Sequence, residues 1–222
     1  MSTPTAQGAD YPTQHIRTFS IKSIPDSATL ASIYYESGLT KVLCRVRGEM
    51  TKDPLLSTRK NCKVKIDVGG DATASQTITN KAENVLSQLI PPETMEKMQI
   101  LINYEVISLD SSLPDLLINV GTLALASGEV PMRDTLSSIT CITTGDGKLI
   151  LDPTKEQLAT SVGGVRLAMS TQKEKLVDFE FTGGVVDPSN QPERLKDMIG
   201  LATSGCKALS DKIIADFVSE QK

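Results

Sequence analysis

Few residues of this 222-residue chain have side chains able to do chemistry, and their spacing narrows what that chemistry can be. The only histidine, His15, lies in a polar N-terminal stretch, which removes histidine-based triads and multi-histidine metal sites. Cys44, Cys62, Cys141 and Cys206 are dispersed, with no C-x₂₋₄-C pair for a structural zinc. Each falls in an apolar stretch, as expected of a small buried hydrophobe in a reducing compartment. Hydroxyls and carboxylates gather at two places. Asp110, Ser111 and Ser112 precede an apolar run and suit a helix cap. Asp152 and Glu156 stand four residues apart, so that a helix through both would put two carboxylates on one face. Val68-Gly-Gly-Asp-Ala-Thr73 has glycines but not the spacing of a dinucleotide fingerprint or a Walker loop, and reads as a turn.

Charge is unevenly distributed. The net charge is −4, so the molecule as a whole does not advertise nucleic-acid binding. Yet Lys41, Arg45, Arg47, Lys52, Arg59, Lys60, Lys63 and Lys65 fall in one stretch with only Glu49 and Asp53 against them. Alternation puts Arg45, Arg47, Lys63 and Lys65 on the solvent faces of two strands expected to be neighbours. The loop between those strands adds Lys52, Arg59 and Lys60. Such a face can neutralise phosphates by counterion release, meet an acidic neighbour, or be an ordinary solvated face. Aromatic residues make up 4%, which leaves little for base stacking, so contact with a nucleic acid would be electrostatic and largely blind to sequence.

The elements that must position these residues follow from periodicity. Strands are predicted over Thr40–Gly48, Cys62–Val68 and Gln99–Ser108, with Val42, Cys44, Val46, Val64, Ile66, Ile100, Ile102, Tyr104 and Val106 turned inward. Val177, Phe179 and Phe181 mark a later one. Helices are predicted over Thr77–Leu89, stopped by Pro91-Pro92, and over Leu113–Ala126. The second is apolar nearly all round and so buried, with Gly121 allowing close approach. A third, about Pro192–Ser219, repeats Leu195, Met198, Ala202, Cys206, Leu209 and Ile213 at helical steps. Thr144-Gly-Asp-Gly-Lys148 is a turn between two short strands. The expected class is α/β (α+β), a mixed sheet with packed helices, with residues 1–15 as a flexible tail and 16–222 as one domain. The N-terminus shows no signal-peptide pattern, and a nuclear or cytoplasmic location is the default.

Three blocks of sequence resemble the RNase PH family, 3′ exoribonuclease family domain 1. They are Gly38-Leu-Thr-Lys-Val-Leu-Cys-Arg-Val-Arg-Gly48, Ile118-Asn-Val-Gly-Thr-Leu-Ala-Leu-Ala-Ser-Gly-Glu-Val-Pro-Met-Arg-Asp134, and Asp146-Gly-Lys-Leu-Ile-Leu-Asp-Pro-Thr-Lys-Glu-Gln-Leu158 with the strand Gly164–Met169 behind it. The resemblance runs from about Ile16 to the last helix and is greatest to the small exosome ring subunits that consist of this domain alone. It implies a fold like domain 2 of ribosomal protein S5, and a place in a six-membered ring around a channel for single-stranded RNA. Active members of the family degrade RNA from its 3′ end with inorganic phosphate as nucleophile.

Against that family pattern the chemistry is depleted. Active members hold phosphate on a Gly-Gly-Thr/Ser-Arg segment before the buried helix, where N–H groups and an arginine meet the anion. Here Pro114 takes the arginine's place, and Asp115 adds a negative charge beside it. The family also carries three aspartates that bind magnesium and assist the leaving oxygen. Asp152 keeps the first, Thr154 takes the second and Leu158 the third, with Glu156 as a partial substitute; otherwise Asp152-Pro-Thr154 is a turn and cap.

The resemblance with these losses implies a non-catalytic ring subunit, with no metal and no cofactor of its own, in the nucleus (nucleolus) and cytoplasm. Its partners would be other RNase PH-like ring subunits, cap subunits, single-stranded RNA and a separate nuclease, in ribosomal RNA maturation and messenger RNA turnover. An active phosphorolytic exoribonuclease and a stand-alone RNA-binding domain are the alternatives.

Overall fold

The computed structural model describes residues 16–50, 63–91, 98–183 and 191–220. His15, Lys52, Arg59, Lys60 and Cys62 lie outside them.

Two sheets enclose one apolar helix. The first has five strands in the order β1-β2-β3-β5-β4: β1 Ser20–Ser23, β2 Ala31–Ser37, β3 Thr40–Met50, β4 Lys63–Gly70 and β5 Met98–Ser108. It is mixed, because β4 runs parallel to β5 while the other pairs are antiparallel. The second has the order β7-β6-β8-β9 and is antiparallel: β6 Leu136–Thr143, β7 Leu149–Leu151, β8 Gly163–Ser170 and β9 Leu176–Gly183. Four helices complete the described residues: α1 Gln76–Ser87, α2 Leu113–Ser127, α3 Lys155–Ala159 and α4 Gln191–Glu220.

Helix α2 explains its own composition. It packs on β2 and β3 of one sheet, on β6 and β8 of the other, and on α1, so every face meets protein and none can be polar at large. Gly121 is required by that closeness: a Cβ there would come within 2.3 Å of the Tyr104 hydroxyl and 2.7 Å of Leu86. The Tyr104 hydroxyl is itself anchored, donating to the Leu117 carbonyl at 2.6 Å. Helix α4 covers the opposite side of β6 and β8 with Met198, Ala202, Cys206, Leu209 and Ile213. Both sides of those strands are therefore buried, and neither strand alternates in burial.

The outer strands do alternate. Val42, Cys44 and Val46 are fully buried while Arg47 is exposed, as period-two patterning requires. Gly70 closes β4 with φ +89, at a point where a Cβ would strike the Val106 carbonyl at 2.1 Å. That is the turn expected of the Val68–Thr73 segment. Cys44, Cys141 and Cys206 are buried free thiols; burial pushes the last two up to about 12 and Cys44 higher still. None is a nucleophile at neutral pH.

Candidate functional site

Two of the positions that the resemblance leads one to expect as departures from phosphorolytic chemistry meet in space. Pro114, in the first turn of α2, and Leu158, on α3, line one cavity of about 260 Å³. Its other walls come from the start of α1, from Thr140 of β6, from Gly164 and Arg166 of β8, and from Glu180 and Thr182 of β9. Proline is well placed for starting the helix, since the missing N–H is one the first turn would leave unbonded. For an anion the same residue is a loss of both donor and charge. Ser112 holds the N-cap position but makes no side-chain cap bond, and Asp110 accepts instead from the Lys155 N–H at 3.2 Å. The capping role expected of Asp110, Ser111 and Ser112 is thus not what they do.

The charges that face this cavity are matched to one another. The Arg166 guanidinium donates at 2.7 Å to both Asp178 and Glu180, and Lys81 donates to Glu180 at 2.8 Å. Burial works against the Arg166 charge, but Glu180, Asp115 and Asp178 outweigh it and raise its affinity for the proton. An arginine in the middle of an apolar strand was the available sequence signal for this cluster; its partners, 12 and 14 residues further on, are set by the β8–β9 pairing.

Asp115 does not face a would-be phosphate. It is turned into the interior, where Ser138 and Thr140 donate to it at 2.6 and 2.5 Å. Burial raises its pKa, against these hydroxyls and Arg166. Asn119 continues this polar layer, exchanging bonds of 2.8 and 2.7 Å with the Ser138 backbone. Together they tie α2 to β6.

Asp152 is occupied as well. It precedes α3 with a left-handed φ of +53, so it shares no helical face with the exposed Glu156. Arg17 holds both its oxygens, at 3.0 Å from Nε and 2.5 Å from Nη2, and the Arg17 backbone N–H adds a third bond at 3.1 Å. The same guanidinium donates to the Asp110 carbonyl at 2.6 Å. Thr154 caps α3 in a reciprocal box with Gln157, as the turn-and-cap reading expects. A divalent cation would thus find Asp152 engaged by an arginine, the Thr154 hydroxyl engaged as a cap, and at Leu158 no donor. These residues do not fit magnesium, and no grouping of three metal-ligating side chains occurs among the described residues.

The basic face is partly as expected. Arg45, Arg47, Lys63 and Lys65 share the outer side of the five-stranded sheet, but β3 and β4 are not neighbours; β5 lies between them, which sets the two pairs about 10 Å apart. The intervening strand is not basic. Glu105 pairs with Arg45 at 3.2 Å, and Asn103 joins Arg47 at 2.9 Å to Asp67 at 3.2 Å.

The family model for 3′ exoribonuclease family, domain 1 (RNase PH) matches residues 15–131. The chain belongs to that family. Among curated proteins, the exosome complex component Rrp41 of Methanosarcina mazei is 26% identical over 191 residues, covering 80% of this chain but only 37% of its own length. A putative exosome complex component RRP41 of Caenorhabditis elegans is 28% identical over 164 residues, or 68% of each chain. Among solved structures, rice (Oryza sativa) Rrp46 superposes with a TM-score of 0.78 at 17% identity, covering 94% of this chain and 98% of its own. A chain of an archaeal exosome core gives 0.67 at 13% identity, over 89% and 87%. These likenesses establish the RNase PH fold.

Proposed function

We propose that this chain is a non-catalytic RNase PH-like subunit of an exosome-type ring, supporting assembly and the passage of RNA toward a separate nuclease. The observation that carries the reading is that Pro114 and Leu158 line one cavity whose cations are already paired, while the surviving carboxylate, Asp152, is bound by Arg17. Among the described residues, phosphate meets no uncommitted cation in that cavity, and a leaving oxygen meets no carboxyl there that is free of an arginine or lysine. Membership of the ring rests on the family and on relatives that are exosome components. Ribosomal RNA maturation, messenger RNA turnover, cap-subunit partners and a nuclear, nucleolar and cytoplasmic location belong to the same proposal. The test supplies purified protein with single-stranded RNA, inorganic phosphate and magnesium. No nucleoside diphosphate above background is expected; steady release would end the non-catalytic reading.

RNA would be met by charge rather than by base contacts. Arg47 and Lys65 flank Leu101 in one row across the outer sheet face. In the assembled complex, Arg47→Glu with Lys65→Glu should weaken RNA binding alike for all sequences and lower the salt slope by just under one unit per lost phosphate contact. An unchanged slope would assign this face to solvent, and loss of assembly would assign it to a subunit contact.

A further inference from the structure

Among the described residues the two sheets end in four edge strands, and they are not equally protected. Strand β1 has four residues and β7 three, too short to template another strand. Strand β4 carries Lys63 and Lys65 and is covered by α1, where Ser87 Oγ and Glu83 Oε1 accept from the Val64 and Ile66 N–H groups at 3.4 and 2.9 Å. Strand β9 is longer than β1 or β7 and has neither lysine nor proline, although it too ends in a glycine: Leu-Val-Asp-Phe-Glu-Phe-Thr-Gly, eight residues.

Its side chains are also left half finished. Leu176, Phe179 and Phe181 stand opposite Met169, Leu167 and Val165 of β8, so they lie on the face that α4 covers further along the sheet. The β8 residues are 8%, 1% and 0% exposed; their β9 partners are 55%, 43% and 41% exposed. The apolar layer thus continues to the last strand of the sheet while its cover does not.

We infer that the edge of β9 is an interaction surface that takes a β-strand from a different protein chain, extending the four-stranded sheet and burying Leu176, Phe179 and Phe181. An open edge presents N–H and C=O groups at the spacing of a strand, which makes a strand the fitting occupant. Charge argues against a second copy. The two antiparallel self-pairings that use most of β9 are centred on Phe179 and on Glu180. The first sets Asp178 opposite Glu180, and the second sets Glu180 opposite itself, on a face where Arg166 and Lys81 are already committed. The incoming strand is apolar at alternate positions and neutral or basic at the positions between.

This inference rests on the ring-subunit reading for the partner's source. The experiment measures backbone hydrogen exchange over Leu176–Gly183 in the free chain and in the complex recovered with its RNase PH-like partners. Exchange in the complex should slow at least tenfold at alternate residues. Phe179→Lys with Phe181→Lys should unfold at the wild-type midpoint and recover at least tenfold less partner. A complex that forms with β9 exchange unchanged, or with the variant recovered as well as wild type, overturns the β9 assignment and leaves ring membership standing. A concentration-dependent homodimer that protects β9 overturns it in favour of a second copy. Recovery of no RNase PH-like chain by the wild type would end the ring reading and this inference with it.

Discussion

The cavity between Pro114 and Leu158 and the junction between Arg17 and Asp152 differ in what their polar groups are for. In the cavity the wall includes a proline and a leucine, and the charges close on one another as Lys81–Glu180–Arg166–Asp178. At the junction every polar contact joins distant parts of the chain: Arg17 to Asp152 across 135 residues, and Arg17 to Asp110 across 93. The difference shows that a carboxylate at a family position can be fully engaged in holding the scaffold together. At the junction the polar groups bind the scaffold to itself, while in the cavity they close on one another.

Breaking the junction should therefore cost much more than changing the cavity. Arg17→Met removes three side-chain donors from Asp152 and the Asp110 carbonyl, and strands a half-buried carboxylate. A loss of about 2 kcal/mol is expected from charge-assisted bonds in this setting. Pro114→Ala, on the cavity wall, should move stability by no more than about 0.5 kcal/mol. Denaturant titrations of the two variants check the ranking, and equal losses would erase the distinction between the regions.

A smaller, pH-dependent effect belongs to another scaffold carboxylate. Asp134 accepts from the Ser170 hydroxyl and from the backbone N–H groups of Thr135, Gln172 and Lys173, fixing the β8–β9 turn to the start of β6. Burial alone would raise its pKa, but these donors lower it below the ordinary aspartate value. A carboxyl depressed in the folded state stabilises fully above its unfolded pKa, and that contribution is lost as pH falls through the folded one. Asp134→Asn should cost about 1 kcal/mol at neutral pH and less in acid, so its stability curve converges on wild type below about pH 4. A difference independent of pH would refute the role given to the charge.

Much of the fold was legible because it is local. Alternation at Val42, Cys44 and Val46 requires only period two, and Thr154-x-x-Gln157 is a cap that can be read in four residues. The all-apolar run at Leu113 announced a buried helix, observed one residue longer than expected. What was not legible depends on partners far away in sequence. Strand β5 separates β3 from β4 because parallel pairing joins segments that no turn links. Arg17 gives no local sign that it will meet Asp152, and Asp115 was expected beside the would-be phosphate because Ser138 and Thr140, which draw it inward, lie 23 and 25 residues away. That Pro114 stands at the expected arginine of the anion cradle and Leu158 at an expected aspartate was readable residue by residue; their sharing one cavity was not.

The central claim is that Asp152 is a tie in the scaffold and not an acid of a working site, and Asp152→Asn addresses it directly. Its unfolding midpoint and its release of nucleoside diphosphates from RNA, phosphate and magnesium should be measured beside wild type. The account predicts a destabilised variant, with neither protein active above background. Release by the wild type, abolished in the variant without loss of stability, would contradict it.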